Sequence, residues 1–189
     1  MVTEEELKQY GAMGTIIHRM AEMALRKDDN PSALWDDCIE EWHMVQSGSL
    51  KLNPSDANPR GFIEKYQDDF NWVVEDKDIE MTLWDDELMV EGTLDLLTTY
   101  QGKLAICDWK TSRSYGTDKK EGYWKQLACY AMMTEKKLGV KIEALVIMPL
   151  NPKNKCGYGK PLVEENIEHY KELFLKDLKE FNKLYRCGE

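Results

Sequence analysis

The sequence has no apolar run that approaches a bilayer span; the longest stretches, such as Ala144 to Leu150, are far shorter. Its opening, MVTEEELKQY, has neither the basic nor the apolar segment of a secretory signal. A soluble, cytoplasmic protein with no membrane partner is expected. Cysteine is scarce and scattered: the five, at 38, 107, 129, 156 and 187, form no CxxC pair and have no spacing suited to zinc or an iron–sulfur cluster. They read as reduced thiols, mostly in the core. Internal repeats and low-complexity tracts are also missing. The 189 residues suffice for one well-filled core and are few for two domains, so all motifs should serve one site.

Positive charge is the other shortage. A net charge of −10 runs against phosphate binding, which draws affinity from Lys and Arg releasing counterions. The distribution softens this. Eleven acids stand between Glu64 and Glu91 against Lys65 and Lys77, whereas Lys103 to Lys125 carries six basic residues against Asp108, Asp118 and Glu121. The acidic run reads as solvated surface. In the basic one, Arg113, Lys119, Lys120 and Lys125 are the candidates for a DNA track.

What is present is patterned. Thr3 with Glu6 is a capping-box pair, and Leu7, Tyr10, Met13, Ile17, Met20 and Ala24 recur at helical spacing to about Lys27. Pro31 and Ser32 open a second helix over Ala33 to about Gln46, and a third is expected from about Gly61 to Trp72. The period then becomes two. Ile79 to Leu83, Leu88 to Tyr100 and Lys103 to Lys110, joined by turns at Asp85–Asp86 and Gln101–Gly102, predict a three-strand antiparallel meander. A helix from Tyr123 to about Lys137 is stopped by Gly139. A fourth strand over Lys141 to Leu150, a turn-rich stretch from Asn151 to Pro161 and a charged helix from Glu164 to about Tyr185 complete the chain. The expected organisation is one domain: a helical part (1–74), an αβ catalytic core (75–150) and a C-terminal loop and helix (151–189).

In the third strand, side chains alternate across the sheet, so Asp108 and Lys110 share one face and Trp109 takes the other. Asp95 lies in the apolar run VEGTLDLL, beside Gly92, where an acid is costly unless paired or metal-bound. Glu80, at the start of the first strand, could reach the same rim as an outer carboxylate or cap a strand edge. Two acids offer oxygens to a hard cation, and Lys110 offers positive charge to a developing phosphorane or orients the attacking water. Gln126 and Tyr130, four apart on a helix, point the same way and could position Lys110 or a phosphate.

Gly92-Thr93-Leu94-Asp95, then Asp108-Trp109-Lys110-Thr111-Ser112, then Gln126-Leu127-Ala128-Cys129-Tyr130 resembles, in order and spacing, the PD-(D/E)xK nuclease superfamily, in particular its RecB-like exonuclease branch. Upstream, Gly14-Thr15-Ile16-Ile17-His18-Arg19-Met20-Ala21-Glu22 resembles that branch's first-helix motif. The resemblance implies a restriction-endonuclease-like α/β core, a mixed central sheet begun by the meander and flanked by helices. It implies Mg²⁺ or Mn²⁺ held by His18, Asp95, Asp108 and the carbonyl of Trp109, with Glu80 for a second ion or the outer shell. Lys110 would be catalytic, with Gln126 and Tyr130 lining the site, and the substrate would be DNA in recombination, repair or phage replication. Branch members with an iron–sulfur cluster carry one cysteine before the histidine helix and three near the C-terminus. Here none precedes His18, so no cluster is expected. With no helicase domain, unwinding would come from a helicase, recombinase or single-strand-binding partner, and a homo-oligomeric ring is one route to processivity.

Each feature has a plainer explanation. An Asp-x-Lys on a strand is commonly a surface ion pair. His18 alone would be a hydrogen-bonded helix histidine, His43 and His169 structural or exposed, and Trp72, Trp84, Tyr100, Tyr115 and Trp124 packing rather than base-stacking residues. The competing functions are a catalytically silent module that binds DNA or a protein and, more distantly, a metal-dependent esterase.

Overall fold

The computed structural model describes residues 3–27, 54–111 and 115–185. The second helix expected over Ala33 to Gln46, together with Cys38, His43, Arg113 and Cys187, lies outside them.

Helix α1 (Glu4–Arg26) begins where the sequence places it: Thr3 Oγ1 accepts from the Glu6 amide, and the Glu6 carboxylate accepts from the Thr3 amide at 2.8 Å. It ends at Lys27 in the left-handed conformation. Helix α2 is shorter than expected, Pro59–Lys65 rather than Gly61 to Trp72. Aromatic contacts override the local periodicity beyond it. Phe70 stacks on Trp72 at 4.6 Å and bridges the backbone of Tyr100, so this segment is bound to the sheet instead of continuing to coil.

Strands β1 (Ile79–Asp85), β2 (Val90–Tyr100) and β3 (Lys103–Lys110) form the expected meander, with β1 ending and β2 beginning two residues later than the sequence suggests, so that the first turn is 86–89 and Asp85 pairs with Val90. Helix α3 (Thr117–Leu138) starts six residues before Tyr123 and is stopped by Gly139 at φ 67°. It is the crossover needed to lay β4 (Ala144–Pro149) parallel to β3. A short strand β5 (Leu162–Glu164) pairs antiparallel with β4 where the last helix was expected to open, and helix α4 (Ile167–Tyr185) follows it. The result is a five-stranded mixed sheet in the order β1-β2-β3-β4-β5.

Two apolar layers cover its faces. One joins Met13, Ile17 and Ala21 of α1 and Phe62 of α2 to Leu96, Trp109 and Val146. The other joins Trp124, Leu127 and Met133 of α3 and Ile167 of α4 to Leu83, Leu94, Ile106 and Leu145. Burying such side chains contributes about 1.5–3 kcal/mol each. Cys107 and Cys129 belong to these layers, whereas Cys156 is exposed. Among the described residues, no helix is long and apolar enough to cross a membrane.

One irregularity positions everything that follows. The β2–β3 ladder stops at Leu96↔Cys107. Beyond it, β2 continues paired only with β1, as far as Asp85↔Val90, and β3 only with β4, as far as Lys110↔Pro149. The sheet forks there. On β1, opposite Asp95, Glu80 takes a left-handed φ of 51°, and Ile79 and Met81, two residues apart, pack into opposite layers.

Candidate active site

Asp95 and Asp108 flank the crotch of the fork, the next positions after the last β2–β3 pair. Asp95 is buried, and its Oδ2 accepts the Trp109 amide hydrogen at 2.7 Å, so a side chain takes a backbone donor that the departing strand leaves behind. His18, brought by the packing of α1 on the sheet, sets Nδ1 3.3 Å from the same oxygen. Lys110 Nζ stands 2.7 Å from Asp108 Oδ2. It donates to Gln126 Oε1 at 3.1 Å, and Gln126 Nε2 donates to the Tyr130 hydroxyl at 3.0 Å. Trp109 is buried on the opposite layer against Phe62, ring centroids 5.2 Å apart, as strand alternation requires.

Gly92 fixes Tyr130. A Cβ there would lie 2.6 Å from Tyr130 Cε1, so only glycine lets the ring approach the strand.

The electrostatics follow from burial of like charges. Asp108 is pushed up to about 7, by burial first and by Asp95 second, while Lys110 and His18 pull it down. Burial works against the Lys110 ammonium, but Asp108 and Asp95 more than offset it and raise its pKa. Burial likewise opposes the His18 imidazolium, and Asp95 reverses the sign. Glu80 is raised to about 7 by burial, Asp95 and Glu22. It lines, with Gly14, Thr15, His18, Arg19 and Glu22, an open cleft of about 580 Å³ between α1 and the β1–β2 hairpin.

By donor type the site suits a hard divalent cation: two carboxylates and one imidazole meet at the fork. Although Lys110 is close, Asp108 Oδ2 is fully buried and receives no aligned hydrogen bond. That oxygen keeps a lone pair for a second cationic partner, since the ammonium beside it is not aligned to satisfy it. Among the described residues, no three His, Cys, Asp or Glu side chains are gathered closely enough to cage an ion as they stand. His18 and Lys110 are turned onto the two acids instead.

The other predicted residues are placed as follows. Lys119 and Lys120 stand in the first turn of α3. Lys125 is held by Glu121 at 3.2 Å and Asp177 at 2.6 Å, tying α3 to α4, so its charge is already matched. His169 is exposed and packs edge-on against Tyr170. Trp124 is buried, and Trp84, 59 % exposed, lies under Lys137 Nζ. Glu22, which shares with His18 the four-residue helical spacing of the first-helix motif, lines the cleft, and so does Arg19, to which the sequence assigns no role. For Glu22 the i,i+4 spacing from His18 is the signal; Arg19, at i+1, carries no such signal in the sequence.

The family model of the PD-(D/E)XK nuclease superfamily matches residues 2–186. A crystal structure of a "Putative exonuclease" from Eubacterium rectale superposes with a TM-score of 0.50 at 12% identity, covering 88% of this chain and 63% of that one. This chain thus spans under two thirds of that protein's length, and at such identity the likeness shows the fold alone. No curated protein matches the sequence.

Proposed function

The chain belongs to the PD-(D/E)XK nuclease superfamily, and from that premise we propose that it is a Mg²⁺- or Mn²⁺-dependent deoxyribonuclease. We read it as an exonuclease serving recombination, repair or phage DNA processing. One observation carries this reading: at the fork of the sheet, Asp95, Asp108 and Lys110 converge, with Lys110 oriented by Gln126.

His18, Asp95, Asp108 and the Trp109 carbonyl would hold the cation, with Glu80 facing a second ion or the outer shell. When bound, the cation supplies Lewis-acid charge and an acidified water. The chain's own groups do the orienting. Asp95, fixed by the Trp109 amide and by His18, enters the reaction already aimed. Lys110, kept protonated by the two acids, presents N–H donors where negative charge grows on the phosphoryl oxygens and can orient the attacking water. Gln126 Oε1 accepts one of its hydrogen bonds, and Tyr130 fixes the amide that does so. Arg113, Lys119 and Lys120 form the phosphate track; Lys125, matched by two carboxylates, contributes less to it.

The exonuclease assignment leans on the RecB-like motif order and on the description carried by the Eubacterium rectale protein. No iron–sulfur cluster is proposed, and fresh protein should show no visible-region absorbance band of that kind. Partners would be DNA and a helicase, recombinase or single-strand-binding protein, and a homo-oligomeric ring would confer processivity.

The test is a time course on end-labelled single-stranded, blunt and closed circular DNA with Mg²⁺, Mn²⁺ or EDTA. Linear ends should shorten while the circle survives, EDTA should stop the reaction, and Lys110→Ala should lower the rate by at least about a hundredfold. Cleavage of the circle would make the protein an endonuclease. No metal-dependent cleavage by wild type would leave a silent module that binds DNA or protein.

A further inference from the structure

A lysine ammonium has three N–H bonds to direct and no acceptor of its own. At Lys110, Asp108 Oδ2 stands on one side at 2.7 Å and Gln126 Oε1 on another at 3.1 Å. A further neighbour is aromatic: Nζ lies 4.9 Å from the centroid of the Tyr123 ring. That ring is half-buried and braced edge-on by Tyr115, centroids 6.3 Å apart. The Tyr115 hydroxyl in turn donates to the backbone carbonyl of Lys110 at 3.0 Å. Lysine, ring and brace therefore close on one another. Lys119 Nζ approaches the same ring at 6.0 Å. Tyr123 has no part in the cation, water or phosphoryl contacts given to the other side chains.

We propose that Tyr123 is a positioning residue for Lys110, its ring face holding the ammonium over the two carboxylates by cation–π attraction. A carboxylate or amide in its place would compete for the remaining N–H. An aliphatic chain would fill the space without attracting the charge. The ring attracts the ammonium and offers no lone pair to bind it, so one N–H stays available to a phosphoryl oxygen or a water. The inference rests on the nuclease reading and adds to it a residue outside the matched motifs.

The experiment places phenylalanine, 4-fluoro-, 3,5-difluoro- and pentafluorophenylalanine at position 123, with Tyr123→Leu as the aliphatic comparison. Fluorination drains negative potential from the ring face while nearly preserving its shape. Two quantities are read: kcat and KM on linear DNA, and, by NMR in metal-free protein, the ring-current displacement of the Lys110 Hε resonances, assigned with Lys110→Arg. We expect an upfield displacement in wild type that vanishes in Tyr123→Leu. Tyr123→Phe should retain most of kcat, with a graded fall along the fluorine series reaching about fivefold to thirtyfold at little change in KM or thermal midpoint. A structural role would not follow ring electronics. No displacement in wild type would overturn the proposal whatever the activity. A displacement with flat kcat would overturn it too and leave the nuclease reading intact. Failure of wild type to cleave any DNA with either metal would sink the nuclease reading and this one with it.

Discussion

Burial and the carboxylates of Asp95 and Glu22 push Glu80 up to about 7, so between the ordinary glutamate range and neutrality the folded protein holds a proton that the unfolded chain releases. A raised carboxyl pKa gives stability that is fully present below the unfolded value and lost as pH rises through the folded one. Metal-free protein should therefore weaken from about pH 4.5 to pH 8, and Asp108, displaced the same way, adds to the slope. Glu80→Gln should melt higher than wild type at pH 8, by about 2–4 °C for each kcal/mol relieved, and the gain should close toward pH 5. Melting curves in EDTA across that range check it; a gain independent of pH would refute the assignment of the proton to Glu80. Gly92 makes a second residue-scale prediction. Gly92→Ala drives a methyl to 2.6 Å from Tyr130, which should cost about 1–3 kcal/mol in denaturant unfolding and lower cleavage. Adding Tyr130→Leu should restore stability without restoring activity, because the hydroxyl partner of Gln126 is then missing.

At the scale of elements, helix α1 delivers His18, and its start depends on a local pair. Thr3→Ala should remove about 1 kcal/mol, readable as a shifted urea midpoint at unchanged slope. The packing of α4 on α3 depends on Lys171, buried between Glu135 at 2.7 Å and Glu168 at 2.8 Å. Lys171→Met keeps the volume but leaves a half-buried Glu135 without its cation and should lose about 1–3 kcal/mol; Lys171→Ala, which adds a gap, should lose more, and Lys171→Met combined with Glu135→Leu should recover most of the loss. Elements set by neighbours in sequence are legible in the sequence. The Thr3–Glu6 cap starts α1, Gly139 ends α3, and the Gln101–Gly102 turn fixes β3 over Lys103–Lys110. Elements set by distant partners are not: α2 stops short because Phe70 binds Tyr100, and β5 exists only because β4 pairs with it. The site divides likewise. Asp108, Lys110, Gln126 and Tyr130 follow from strand and helix periods, whereas the left-handed Glu80 and the pairing of Lys125 with Asp177, 52 residues away, are products of the folded arrangement.

For the whole molecule, a net charge of −10 leaves few cations to replace DNA's counterions. With Arg113, Lys119 and Lys120 as the contacts, the dependence of log affinity on log salt should have a slope of about −2 to −3. Fluorescence anisotropy of Lys110→Ala with labelled DNA measures it, and a slope near −6 would mean a broad basic surface these residues do not form. The fork in the sheet has a mechanical meaning. The two acids ride on separate arms, one on the β1–β2 hairpin and the other on the β3–β4 pair, hinged where Leu96 meets Cys107. Neither ladder closes the gap between the carboxylates, but the hydrogen bond from the Trp109 amide to Asp95 crosses from one arm to the other and pins it. The apolar layer runs out along both arms through Leu83, Leu94 and Ile147, so the jaw is braced beyond its root and its bite is set before anything enters it.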